Sequence, residues 1–153
     1  MRRNKRISVT PTVDTDAYTA GDVVGGLMTF AVGGVGLSGS IRSVIVVDDH
    51  GQTEPYTLYW FYARPSTIAD DAAFAPTVAD LKKLATTLLL EAGDYATVNS
   101  NDVAILGGRE DSAMDVPFTS DDGNLYLYAV PADTPDYNAA TDLTFILTVR
   151  IDD

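Results

Sequence analysis

The sequence predicts a mainly β fold: a single-domain β-sandwich or jelly-roll-like structure of about eight strands with one or two short helices. Three observations carry that expectation. The last stretch alternates, with Leu143, Phe145, Leu147, Val149 and Ile151 on one face and Thr144, Ile146, Thr148 and Arg150 on the other. That is the period of two of a half-buried strand. Residues 56–62 (Tyr-Thr-Leu-Tyr-Trp-Phe-Tyr) are aromatic and apolar on both faces, as a central strand would be. Turn-forming clusters such as Asp48-Asp49-His50-Gly51 and Ser120-Asp121-Asp122-Gly123 separate such runs, the punctuation of a sandwich or barrel.

Taken in order, strands are expected at 6–10, 23–30, 41–47, 56–62, 103–106, 114–118, 125–130 and 143–151. The β-branched run 41–47 and the aromatic run 56–62 are close enough to predict a hairpin. The middle breaks the pattern. Thr67 and Thr77 each open a T-x-x-D capping signature, closed by Asp70 and Asp80. Val78, Leu81, Ala85 and Leu88 recur at helical spacing, whereas Thr86, Thr87 and the three leucines after them favour a strand. The expectation is two short helices, at 68–73 and 78–84, and a strand at about 86–91.

The 153 residues suit one core. Residues 1–10 read as a basic N-terminal arm and first strand, and 11–153 as a single β domain. There are no cysteines, so disulfides and thiolate chemistry are excluded. The basic start resembles the opening of a signal peptide but leads into Ile7-Ser8-Val9-Thr10-Pro11, without the apolar stretch that export needs. The longest near-apolar run, 23–37, holds five glycines and is too short for a bilayer. Neither an export signal nor a membrane partner is expected.

Charge is unevenly placed. Arg2, Arg3, Lys5 and Arg6 are four of only ten basic residues, and the 147 residues after Arg6 carry six basic and 22 acidic groups, a net of −16. Such a body repels phosphate backbones, so no nucleic-acid partner is expected. A basic start on an acidic body reads either as a solvated tail or as an arm suited to attachment to an acidic neighbour. Arg2, Arg3, Lys5 and Arg6 would steer that contact. Ile7 and Val9, both β-formers, would add a strand to the neighbour's open sheet edge. The Thr10-Pro11 step would end that strand, because proline cannot donate to a ladder.

Motifs that carry chemistry are weak. Gly34-Val35-Gly36-Leu37-Ser38-Gly39 has dinucleotide-loop spacing but runs into a strand-like sequence, where that motif needs a helix; no cofactor is expected. His50 is the only histidine and sits in a turn. No G-x-S-x-G elbow occurs, and the many carboxylates make any acid–base pair unspecific. The oxygen-rich loops Asp14-x-Asp16, Asp48-Asp49, Asn99-x-Asn101-Asp102 and Asp121-Asp122 raise a calcium hypothesis but lack the EF-hand pattern; no metal site is assigned. Tyr56, Tyr59, Trp60 and Tyr62 read as core aromatics first and a sugar-stacking platform second. These readings point to a non-enzyme.

Several short motifs bear a further likeness. They are Tyr18-Thr19-Ala20-Gly21-Asp22-Val23-Val24-Gly25-Gly26, Asp71-Ala72-Ala73-Phe74 followed by Val78-Ala79-Asp80-Leu81, Gly123-Asn124-Leu125-Tyr126, and Asp142-Leu143 leading into the last strand. Through them the chain resembles small virion structural proteins of tailed bacteriophages, the kind that decorate or cement the capsid. The resemblance implies a non-catalytic protein on the virion surface, made in the host cytoplasm, bound across the major capsid protein and self-associated as a homotrimer. A head-fibre, tail or baseplate component, and a carbohydrate- or receptor-binding module, are the alternatives.

Overall fold

The computed structural model describes residues 2–108 and 113–152. Among them are ten strands: β1 (Arg2–Val9), β2 (Val24–Ala31), β3 (Ser38–Asp48), β4 (Tyr56–Phe61), β5 (Leu84–Leu90), β6 (Tyr95–Val98), β7 (Asn101–Gly107), β8 (Val116–Thr119), β9 (Asn124–Pro131) and β10 (Leu143–Asp152). One sheet runs β1-β10-β3-β7-β6, with β8 also bonded to β3, and the other runs β2-β9-β4-β5. Setting β6 and β8 aside, the antiparallel pairs β1/β10, β2/β9, β3/β7 and β4/β5 nest inside one another along the chain. The chain is one long ribbon with its tip at β4/β5, rolled so that β10 also meets β3 and β9 also meets β4. This is the eight-strand jelly roll, and the sequence-based fold class holds.

Rolling the ribbon presses one face of each sheet against the other. Leu143, Phe145, Leu147, Val149 and Ile151, the apolar face of β10, are fully buried there. Each such side chain contributes about 1.5–3 kcal/mol through burial. From the opposing sheet come Met28, Phe30, Tyr56, Leu58, Trp60, Leu90, Leu125 and Leu127. In β3 the register slips at Arg42, because Thr148 faces Ser43 while Val149 faces Ile41. That one-residue bulge reverses the alternation and turns both Ile41 and Val44 inward. It is also where β3's other neighbour changes, from β8 along 38–41 to β7 along 43–48. Gly107 ends β7 at this point with φ +69, and a Cβ there would come within 2.6 Å of the Arg42 carbonyl oxygen. Glycine is required.

Three expectations are corrected. The hairpin of 41–47 with 56–62 does not form, since β3 and β4 lie in different sheets. Seven residues separate them, more than common hairpin loops use. Both Asp48 carboxylate oxygens accept backbone N–H groups (His50 and Gly51 on Oδ1, Gln52 on Oδ2), turning the chain across the sandwich. The helix at 68–73 is absent. Asp70 does not cap Thr67; its carboxylate accepts the Tyr18 hydroxyl and the Gly25 N–H. Asp71 is left-handed at φ 60, and backbone bonds tie 71–74 to 21–23. The second helix is only α1 (Val78–Leu81), and β5 starts at Leu84. Its capping box is real: Asp80 N–H donates to Thr77 Oγ1, and Thr77 N–H donates back to Asp80 Oδ2.

The sequence does not announce β6. It is the outer arm of a hairpin whose two-residue turn, Asn99-Ser100, has both φ values positive, at 50 and 69, the pattern of a type I′ turn. A second apolar layer covers the outside of the β2-β9-β4-β5 sheet. There Val23, Phe61, Tyr126 and Tyr128 pack with Tyr59, Ile68 and Phe74. Tyr128 pins the covering segment by donating its hydroxyl to the Ser66 carbonyl and accepting the Ile68 N–H at 2.8 Å.

Candidate interaction surface

The basic residues sit on a sheet edge. β1 pairs with β10 along its whole length, from Arg2 opposite Asp152 to Val9 opposite Phe145, and has no strand on its other side among the described residues. The strand expected at 6–10 therefore begins at Arg2 and ends at Val9, just before Thr10-Pro11. Alternation divides the six residues expected to bind a partner. Lys5, Ile7 and Val9 are half-buried, with Ile7 and Val9 against the core. The Lys5 amine crosses to the other sheet and donates to the carbonyls of Ala31 (2.7 Å) and Val32 (3.3 Å), tying β1 to the end of β2. Arg2, Arg3 and Arg6 are exposed. Arg2 makes a solvated ion pair with Asp152, Nε to Oδ1 at 3.4 Å, of small worth in open water.

The other sites raised by the sequence are taken up by structure. His50 is exposed in its turn, with Nδ1 2.9 Å from the Asn138 amide nitrogen. Asp102 is buried and accepts the Thr53 N–H and the Thr97 hydroxyl. Asp122 accepts the Tyr126 hydroxyl and the Asn124 N–H. Tyr56 and Trp60 are fully buried while Tyr59 and Tyr62 are half-buried, so two of the four aromatics offer no face for a sugar to stack on. The Tyr56 hydroxyl bonds to that of Tyr137 inside the core, and burial pushes the Tyr56 phenol well above its ordinary pKa. The Trp60 Nε1–H is buried without a partner. The glycine-rich 33–36 segment leads into β3, so no helix N-terminus faces it.

Sequence reading missed the opposite end of the sandwich. β5 is the far edge of the second sheet. Beside it an open cleft of about 260 Å³ is lined by Tyr62, Ala85, Pro117, Phe118 and Thr119. Leu89 on β5 and Val78 on α1 are 60% and 70% exposed. The available signal was Leu84-Ala85-Thr86-Thr87-Leu88-Leu89-Leu90, seven uncharged residues between Lys82-Lys83 and Glu91.

No family model matches the chain, and no curated protein matches it. Among solved structures it is similar to a chain of the native Kashmir bee virus virion at neutral pH, with 12% identity and a TM-score of 0.27. It is also similar to a chain of the full Israeli acute paralysis virus particle heated to 63 degrees, with 10% identity and a TM-score of 0.31. Each match covers 97% of this chain and 68% of the other. At such scores two chains need share little beyond scattered strands, and the jelly-roll assignment rests on the strand order alone. No helix among the described residues is long and apolar enough to cross a membrane.

Proposed function

We propose that this chain is a non-catalytic structural protein of a virus particle, a capsid decoration or cement protein that binds across major capsid subunits of a tailed phage and stabilises the head. The jelly roll is used by viral capsid and lectin domains and by cupins alike, so fold alone does not choose among them. The observation that carries the reading is the concentration of Arg2, Arg3 and Arg6 on the open edge strand of a domain whose residues after Arg6 carry a net −16. An edge strand offers unpaired backbone groups, and the arginines choose an acidic neighbour to meet them. Ile7 and Val9 contribute backbone at that edge, because their side chains already serve the core. Bound this way, the protein stabilises the assembled head by mass action.

The resemblance to phage cement proteins supports the choice of partner, and the burial of Tyr56 and Trp60 disfavours the carbohydrate module. The test is co-sedimentation of the purified protein with heads lacking it. Saturable binding in numbers close to the count of capsid subunits supports decoration. A handful of copies points to a fibre, tail or baseplate component, and no binding removes the proposal.

A further inference from the structure

The five strands with a single strand partner among the described residues are not equally protected against pairing with another chain. β1 carries four basic residues, β2 is broken by a register shift between Val24 and Met28, and β6 and β8 have only four residues each. Charge, bulges and shortness are the usual ways an open edge is blunted. β5 has seven residues with no charge and no proline, and its one irregularity lies at Ala85, leaving 86–90 regular. Its only strand partner among the described residues is β4.

We propose that β5 is a self-association edge: two copies of this chain pair their β5 strands antiparallel about a twofold axis at Thr87, joining two β2-β9-β4-β5 sheets into one. The charges flanking the strand suit a second copy. Lys82 and Lys83 precede β5 while Glu91 and Asp94 follow it, so antiparallel pairing brings the basic end of each copy to the acidic end of the other. With Thr87 facing Thr87, Lys83 stands opposite Glu91 and Leu89 opposite Ala85. Leu89, 60% exposed in the single chain, then lies beside the other copy's strand on the outer face of the joined sheet and loses water-exposed surface. The same pairing is closed to β1, where it would set basic residues against basic residues. A twofold contact is complementary to itself, whereas a threefold ring needs two different complementary patches; β5 satisfies the first condition. This inference is independent of the proposed capsid role, which rests on β1.

The test uses the full chain. In an antiparallel pair, facing Cα atoms are about 4.5–5.5 Å apart, within the roughly 4.4–6.8 Å that a disulfide spans. The chain has no cysteine of its own. Thr87→Cys should therefore oxidise to a covalent dimer, while Ser8→Cys on β1 should not. In sedimentation velocity the natural sequence should shift from one to two chains with concentration. Thr87→Lys, at an exposed position, should weaken that association at least tenfold, as should Thr87→Glu. An equimolar mixture of the two variants should restore the two-chain species. The proposal is overturned by a single-chain mass at every concentration, by a three-chain mass, by association unaffected by Thr87→Lys, or by equal cross-linking at Ser8→Cys.

Discussion

Arg2 and Asp152, near opposite ends of the described chain, face each other in the β1/β10 pair and are joined by an ion pair of 3.4 Å. The basic start is therefore an integral strand rather than a detached tail, which separates two kinds of change at the same residues. Removing 2–9 would uncover β10 and should lower the melting temperature strongly. Reversing charge on the exposed side chains alone (Arg2→Glu, Arg3→Glu, Arg6→Glu) should cost about 0.5 kcal/mol or less per site. Thermal melts of both variants check this contrast, and near-equal melting temperatures would sink it.

The buried Tyr56 and Tyr137 hydroxyls are each other's partners. Tyr56→Phe strands the Tyr137 hydroxyl in the core and should destabilise by about 1–3 kcal/mol, the cost of an unsatisfied buried polar group. The double change Tyr56→Phe with Tyr137→Phe should cost less than the sum of the single ones. Urea unfolding of the three variants gives the cycle. Both phenols have raised pKa values in the fold, chiefly through burial. Their contribution is present in full below the ordinary pKa of 10.0 and is lost as pH rises above it. The natural protein should lose stability in that alkaline range more steeply than the double variant.

Asp80 behaves in the opposite sense. The Ser66 N–H, the Thr77 hydroxyl and further donors hold its carboxyl at about 2, below the ordinary 3.8. A lowered carboxylate pKa gives stability that is present above pH 3.8 and lost as pH falls toward 2. Asp80→Asn should reduce stability at neutral pH and flatten the acid limb of the melting profile between those values. An unchanged acid limb would exclude Asp80 as its source.

His50→Ala should leave stability within about 0.5 kcal/mol, since the ring is an exposed turn side chain. Particle binding should be unchanged too. A loss of binding in this variant would place the contact surface at the 48–53 turn instead of β1.

Periodicity made the jelly roll's core legible. The alternation of 143–151 needs no partner to be read, and all five apolar residues of its inward face are buried. Pairing was harder to read, because β3 and β4 are consecutive and apolar yet lie in opposite sheets. Which sheet a strand joins depends on how the ribbon rolls, and only the Asp48 bonds record that locally. Asp70 shows the same limit: its helix-capping pattern is sound, but contacts from Tyr18 and Gly25, distant in sequence, claim the carboxylate. Charge placement revealed β1 as a candidate surface. The β5 edge went unseen because seven uncharged residues read as core until the sheet order leaves one of their sides open.

The central claim is that this domain binds an acidic partner through the arginines of β1. Its most direct test is the salt dependence of binding to heads that lack the protein, measured for the natural sequence and for Arg2→Glu, Arg3→Glu, Arg6→Glu together. The account predicts that the natural protein binds more tightly at low salt and weakens as salt screens the contact. The variant, still folded, should bind at least tenfold more weakly at low salt and lose most of that salt dependence. Equal affinity and equal salt response in the two proteins would contradict the claim.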